Sequence, residues 1–396
     1  MLSVKFSIEK LYNVLLILLA SSLALFEKIA PIVIIVLVIV SLILRAKHKI
    51  FFKKWDLAYL FFSVFFYYLI RLYGSHDFAQ GLKFIEKNLS YLIIPIVVIP
   101  SLIININNVY KGFVLSFALV SLNAIVLSTI NYIFFNPENI WYFQTIEQFG
   151  FHPTYMGLYS IISLILLDKL KPFKNKFNLL LVGINILFII FSASRITLFG
   201  LVFIFFFRVL VYRKKTYVYT LFLACSLLVA AYFVSNDFRY KIDQLKSFKG
   251  FDNYDNNDYG SVSVRVAKII SANNVWRDNF WFGYGTGGLN EALNKQYRSK
   301  AIECWLCSQK KYNPHNQYLS VLAGHGVFGF VLFLLLFGHM LFYAIKYKNM
   351  LLIEFIIVFL LVGLTESILE RQKGLLLFVF FTFYQFSTMK YLKEKE

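Results

Sequence analysis

The sequence predicts an all-α polytopic membrane protein of about twelve transmembrane helices, with one large loop between the ninth and the tenth. Three observations predict it. Of its 396 residues, 59% are hydrophobic and 19% aromatic, and the mean hydropathy of +0.65 is far above that of a soluble domain of this length. Charged residues make up only 15% and fall in short clusters between long apolar runs. Many of those runs approach the roughly 20 residues that cross a hydrocarbon core as a helix, the form that satisfies its own backbone there. The formal charge of +19 resides mostly in short inter-helix loops, where Lys and Arg set orientation. Membrane lipids, not nucleic acid, are the partners this charge implies.

On the length rule, helices are expected near 11–26, 30–44, 55–73, 89–104, 109–135, 153–170, 176–193, 196–212, 217–234, 318–345, 350–366 and 373–389. The run at 89–104 is interrupted by Pro95 and Pro100. The first run follows Lys5 and Lys10 and reads as an uncleaved signal-anchor, because another apolar run follows at once. This divides the chain into helices 1–9 over 1–234, a loop domain over 235–317 and helices 10–12 over 318–396.

Orientation follows from the basic clusters. Arg45, Lys47, Lys49, Lys53 and Lys54 form one, and Lys169, Lys171, Lys174 and Lys176 another. Arg208, Arg213, Lys214 and Lys215 form a third, and Lys346 with Lys348 a fourth. All fall on one side if the N-terminus is cytoplasmic. The outer side then receives the turn at Glu27 and Lys28, residues 74–88, residues 136–152, the turn 192–195, the loop 235–317, and residues 365–372.

Arg195 stands out on that side. A short turn between apolar helices needs no arginine to set topology, and an outer position runs against the positive-inside bias. Either it snorkels to the interface or it reaches an anionic ligand. The second reading is favoured because other polar groups converge there. In the large loop, residues 235–260 are charged and end in an Asn/Asp-rich cluster, the composition of a mobile turn segment. Residues 261–280 place Val264, Ala267, Ile270 and Val275 at near-helical spacing, with Arg265, Lys268 and Ile269 sharing a face.

Gly283, Gly285, Gly287 and Gly288 come next. No Gly-Lys-Ser/Thr closes this cluster and no βαβ unit contains it, so it is neither a phosphate loop nor a dinucleotide fingerprint. It reads as a tight turn that returns the loop to the membrane. Cys304 and Cys307 form a lone CxxC. Without a second pair a zinc site is not expected; on an oxidising side the two can form a local disulfide. Cys225 and His325 lie inside apolar runs and read as packing residues.

Arg195, Arg265 and His315 carry the chemistry that this arrangement permits. Guanidinium forks bind phosphate oxygens and keep their charge when partly desolvated. An imidazole, with an unperturbed pKa of about 6.5, takes a proton from a hydroxyl at neutral pH. Together they suit a transfer in which a sugar leaves a pyrophosphate for a hydroxyl. Asn316 and Gln317 adjoin the histidine, and His152 and Tyr155 sit at another outer helix mouth. Ligand contact and plain capping both fit His152. Glu366, Glu370 and Arg371 fall at a third mouth, where they pair with one another or orient the arginines.

Ser194-Arg195 after an apolar helix, an arginine in a loop helix, the 283–288 glycine turn, the run from Pro314 to Leu319 (PHNQYL) and Gly326 with Gly329 together resemble the O-antigen ligase family. That superfamily also holds O-antigen polymerases and bacterial protein O-oligosaccharyltransferases. The resemblance implies a GT-C-like bundle with a periplasmic loop domain, in the bacterial inner membrane. It implies an undecaprenyl-pyrophosphate-linked glycan donor, a lipid A-core acceptor, and no metal or nucleotide cofactor. On that likeness Arg195, Arg265 and His315 are the catalytic residues. His152, Tyr155, Asn316, Gln317, Glu366 and Arg371 contact substrate. The CxxC departs from the general pattern and bears on acceptor choice. A polymerase, a protein O-glycosylating enzyme and, from another class, a polyprenyl-glycan transporter are the rival readings. The transporter predicts charges deep within helices, whereas Arg195 and His315 sit at helix mouths.

Overall fold

The computed structural model describes residues 7–25, 29–51, 57–73, 75, 77–134, 153–170, 175–192, 194–234, 239, 242–243 and 261–395. Among them every regular element is helical. The first part comprises α1 (Ile8–Leu25), α2 (Ala30–His48), α3 (Leu57–Ile70), α4 (Phe78–Asn88), α5 (Ser90–Val97) and α6 (Ile106–Phe134). Then come α7 (Pro153–Lys169), α8 (Lys176–Ser192), α9 (Arg195–Tyr212) and α10 (Lys215–Val234). Three further helices, α11 (Ser261–Asp278), α12 (Leu289–Tyr297) and α13 (Trp305–Lys310), precede α14 (Gln317–Lys346), α15 (Met350–Gly363) and α16 (Gln372–Lys395). His152, Ala193 and most of the polar stretch 235–260 lie outside the described residues.

Six of these helices, α1, α2, α6, α9, α14 and α16, are long and apolar enough to cross a membrane. Others are apolar but shorter. At 14 residues each, α3 and α15 rise about 21 Å against a hydrocarbon core of about 30 Å. The exposed apolar side chains of α2, among them Ile32, Ile35, Ile39 and Leu42, make the continuous greasy face that a bilayer covers. The innermost helix is the last one. From Leu375 to Met389 every residue of α16 is buried, as an all-round apolar helix requires. Its hydroxyls bond their own turn: Thr382 donates to the Phe378 carbonyl at 2.6 Å and Thr388 to that of Tyr384 at 2.7 Å.

The run expected as one helix over 89–104 is instead broken. α5 ends at Val97, residues 98 and 99 are extended, and a 3-10 turn spans Pro100–Leu102. Two prolines remove amide donors and leave carbonyls orphaned, which in an apolar setting need other partners. Arg45 supplies them, donating to the carbonyls of Ile96 at 2.8 Å and Pro95 at 2.9 Å. Tyr12 donates to the Val97 carbonyl at 3.1 Å and accepts from the Ile99 amide at 2.7 Å. Arg45, expected as a loop cation, is therefore a helix residue that caps a broken one.

Arg208 is corrected in the same way. It lies inside α9, 4% exposed, and forks onto Glu354 of α15 at 2.6 and 2.7 Å, with Asp168 of α7 at 3.4 Å. The bidentate geometry satisfies both buried ions.

The segment from α11 to α13 has its own small core. Val264, Ala267, Val275, Leu293, Tyr297 and Ile302 pack around the Cys304–Cys307 disulfide. α11 packs against α14. The glycine turn fastens this unit to the bundle. The amides of Tyr284 and Gly285 donate to the carbonyls of Ala323 and Gly324, and those of Val327 and Phe328 to Phe280 and Trp281. Gly283 and Gly326 both have positive φ. A Cβ on Gly326 would stand 2.3 Å from the Trp281 oxygen, so only glycine permits this backbone-to-backbone approach. Gly326 breaks the regularity of α14 at that point.

Candidate functional site

The histidine is set by the chain just before α14. Asn316 caps that helix, its Oδ1 accepting from the Leu319 amide at 3.0 Å while its amide group donates to the Leu364 carbonyl at 3.1 Å. Gln317, buried, accepts from the Leu369 amide at 2.7 Å. These two side chains tie the start of α14 to the turn between α15 and α16. His315 itself is left-handed, φ 49°, a conformation that disfavours most non-glycine residues by roughly 1–2 kcal/mol. Asn313 helps hold it, Oδ1 accepting from the His315 amide at 3.2 Å. Non-glycine backbone in this region is common at functional sites.

The outcome is that Nδ1 of His315 lies 3.1 Å from Oε2 of Glu366, which is 7% exposed. A carboxylate on one ring nitrogen selects the tautomer and leaves Nε2 to act on a ligand. Glu366, which the sequence places at a helix mouth to pair within its own cluster or orient the arginines, meets the imidazole. Behind His315 stands Tyr312, edge to face at 5.8 Å between ring centroids. Over the Tyr312 ring lies Lys268, its Nζ 3.7 Å from the centroid. Tyr312 is anchored because its amide donates to the Cys307 carbonyl and its own carbonyl accepts from Tyr297 at 3.1 Å.

Lys268 is 5% exposed, and its pKa is pushed down to about 7, first by burial and then by the Arg265 charge, with Glu366 opposing. Arg265 is also within electrostatic reach of Arg195. Arg195 opens α9, after Ser194. Lys268 thus feels both Arg265, one turn earlier on α11, and Glu366, the carboxylate that His315 meets at 3.1 Å. Of the three residues weighed from the sequence, His315 is placed against Glu366, and Arg195 lies within electrostatic reach of Arg265. Lys268 is a fourth candidate; its place one turn after Arg265 on the same helical face is the signal that could have found it.

Beside His315 a cavity of about 360 Å³, also lined by Tyr312, opens between α3, α4, α13 and the 367–371 turn. Gln317, Glu370 and Arg371 line it. Glu370 accepts from Asn313 at 3.2 Å, and burial pushes its carboxyl above the ordinary range. Lys87 reaches in from α4 and donates to the Glu370 carbonyl at 3.1 Å. Tyr155 does not line this cavity and is 3% exposed within the bundle core. His325 is buried against Tyr68, 4.4 Å between centroids, and lines the same cavity.

An imidazole held by a carboxylate can pass a proton, and guanidinium groups on α9 and α11 can meet a polyanion. Comparison with known families bears on this directly. Residues 180–334 match the O-antigen ligase family model. The resemblance read from the sequence is met over that segment. The O-antigen ligase match runs from within α8 to within α14. It therefore includes Arg195, Arg265, Lys268, the glycine turn and His315, while Glu366, Glu370 and Lys87 lie outside it. It supports O-antigen ligase/polymerase-type, glycosyltransferase-like chemistry in a multi-pass membrane protein. No curated protein matches the chain.

Proposed function

We propose that the protein is a glycosyltransferase of O-antigen ligase type. It moves a glycan en bloc from undecaprenyl pyrophosphate to a sugar hydroxyl of lipid A-core, at the periplasmic face of the inner membrane. The acceptor hydroxyl gives its proton to Nε2 of His315 while its oxygen attacks the anomeric carbon. The bond from that carbon to the phosphate oxygen breaks, and its electron pair leaves with undecaprenyl pyrophosphate. Arg195 and Arg265 meet the negative charge that grows on the leaving pyrophosphate. Glu366 stabilises the imidazolium that forms and holds its ring in register. A single displacement of this kind inverts the anomeric centre.

The observation that carries this reading is the pairing of His315 with Glu366, beside Tyr312, over whose ring lies Lys268, one turn after Arg265 on α11. The test uses the purified chain in nanodiscs, supplied with lipid-linked glycan and lipid A-core. Release of undecaprenyl pyrophosphate with extension of the core is the expected result. Absence of transfer to any hydroxyl acceptor overturns the reading. A ladder of repeats on carrier lipid without core acceptor makes the enzyme a polymerase.

A further inference from the structure

The cavity beside His315 is lined by four cations, Lys87, Lys310, Lys311 and Arg371, against one carboxylate, Glu370. None of the four is needed to neutralise the donor in the proposed reaction: Arg195 and Arg265, which do that, are not among the lining residues. The cations come from three separate parts of the chain. Lys87 sits near the end of α4, Lys310 and Lys311 end α13, and Arg371 precedes α16. One acidic partner cannot balance four cations brought together from distant segments, so the cavity holds a net positive field. Its low-dielectric walls concentrate that field on a ligand.

The rest of the lining is of the kind that takes a sugar. Tyr68 and Phe84 stand edge to face at 5.2 Å and form an apolar wall. Gln80, Asn290 and Asn313 offer amide groups, each both donor and acceptor. At about 360 Å³ the space suits a small polar ligand of one or two sugar rings, at the lower end of ligand-pocket volumes. His315 lines the same cavity, so a ligand seated there lies against the imidazole.

The two exposed lysines are held in place by covalent structure. Cys304 and Cys307 are disulfide-bonded. Sγ of Cys304 accepts from the Cys307 amide at 3.3 Å, capping α13. Lys311 then closes that helix in a left-handed conformation, φ 47°. The disulfide thus fixes a six-residue helix, too short to persist by itself, whose last turn presents Lys310 and Lys311 to the cavity.

We propose that this cavity is the acceptor site and that it selects an acceptor glycan bearing an anionic group, a phosphate or a carboxylate, near the accepting hydroxyl. The inference rests on the transferase reading for the word acceptor, but the anionic-glycan site itself does not depend on catalysis. Lys310 and Lys311, with Arg371, receive the anionic group. Tyr68 and Phe84 back the ring, and the hydroxyl is left facing His315.

Two measurements test it on the full chain in nanodiscs. The first is ligand-observed NMR with glucose 6-phosphate, glucuronate, glucose and inorganic phosphate as probes. Both anionic sugars are expected to bind about tenfold more tightly than glucose, as one charge-assisted contact provides, and K310Q/K311Q is expected to abolish that preference. Equal binding of glucose overturns the charge selection. Inorganic phosphate binding as tightly as the sugar phosphate overturns the glycan site. The second is transfer to acceptors matched except for a phosphate. The ratio of KM values for neutral and anionic acceptor is expected to fall from about ten towards one in K310Q/K311Q. A variant that raises the donor KM instead assigns the cavity to donor pyrophosphate and overturns the proposal. Loss of all transfer with the binding preference intact counts against the transferase reading alone.

Discussion

Nδ1 of His315 and Oε2 of Glu366 are 3.1 Å apart, across fifty residues of chain that include the whole of α14 and α15. The carboxylate is buried at the turn that follows α15, and the imidazole is left-handed just before α14 begins. Folding therefore creates a base and its orienting partner from opposite ends of a helical hairpin. The side-chain hydrogen bonds of Asn316 and Gln317 to the backbone of that turn hold the distance.

This pairing predicts a graded loss. His315→Ala is expected to lower the transfer rate by about 10²–10⁴-fold, the usual contribution of a positioned base. Glu366→Gln should lower it less, because the ring keeps a hydrogen-bond partner but loses the charge that stabilises imidazolium. Single-turnover rates with saturating donor measure both. A Glu366→Gln enzyme as fast as wild type removes the carboxylate from the mechanism.

Arg195 and Arg265 act on one anion in the proposed reaction, so their losses should not add. Arg265→Lys keeps charge but removes the fork, and a rise in donor KM of about tenfold is expected, equivalent to roughly 1.4 kcal/mol. Arg195→Lys should behave alike, and the double variant should lose less than the product of the two. Strict multiplicativity would separate the two residues.

Lys268 titrates near neutrality because burial and Arg265 disfavour its charge. Its pKa of about 7 makes it cationic below that pH and neutral above. Donor binding should therefore weaken as pH rises from about 6 to about 8, and this dependence should flatten in Lys268→Met. The linked stability has the opposite sense. A lysine with a lowered folded-state pKa favours the fold at high pH. That contribution is lost as pH falls from the unfolded value towards about 7. Donor affinity titrated across that range in both proteins is the check; parallel curves would exclude Lys268.

At the far end of α9, Arg208 and Glu354 form a buried pair, 4% and 2% exposed. Arg208→Met strands the carboxylate and is expected to destabilise the fold by about 3–5 kcal/mol. Arg208→Met/Glu354→Leu should regain most of that loss, since neither ion is then left unpaired. Thermal unfolding in detergent gives both values. A double variant no more stable than the single one argues against desolvation as the cause.

Much of the site was legible before folding because its chemistry is local. PHNQYL announces a capped helix start beside an imidazole, and Arg195 stands out by violating the orientation bias. The partners were not legible. Glu366 was visible as an acid at a helix mouth, but nothing in its neighbours points to His315 across two helices. Lys87 lies far in the chain from Lys310, Lys311 and Arg371, the other cations of the cavity, and its side-chain hydrogen bond goes to the Glu370 carbonyl. Arg45 and Arg208 were read as loop cations because composition sees charge at the edge of an apolar run, not the carbonyls or the carboxylate that draw it inward.

By itself the sequence determined that this is an all-helical, strongly apolar chain with a basic rim and a polar segment that returns to the membrane through glycines and a histidine. Those properties follow from hydropathy, charge placement and the φ freedom of glycine, each of which acts within a few residues. Only the tertiary structure decided that Gly283 meets the break at Gly326, that Lys268 lies over the Tyr312 ring beside His315, and that four lysine and arginine side chains share one cavity. Such contacts arise from which helix faces pack together. That choice minimises exposed backbone and unpaired charge over the whole bundle, and no short stretch of chain contains it.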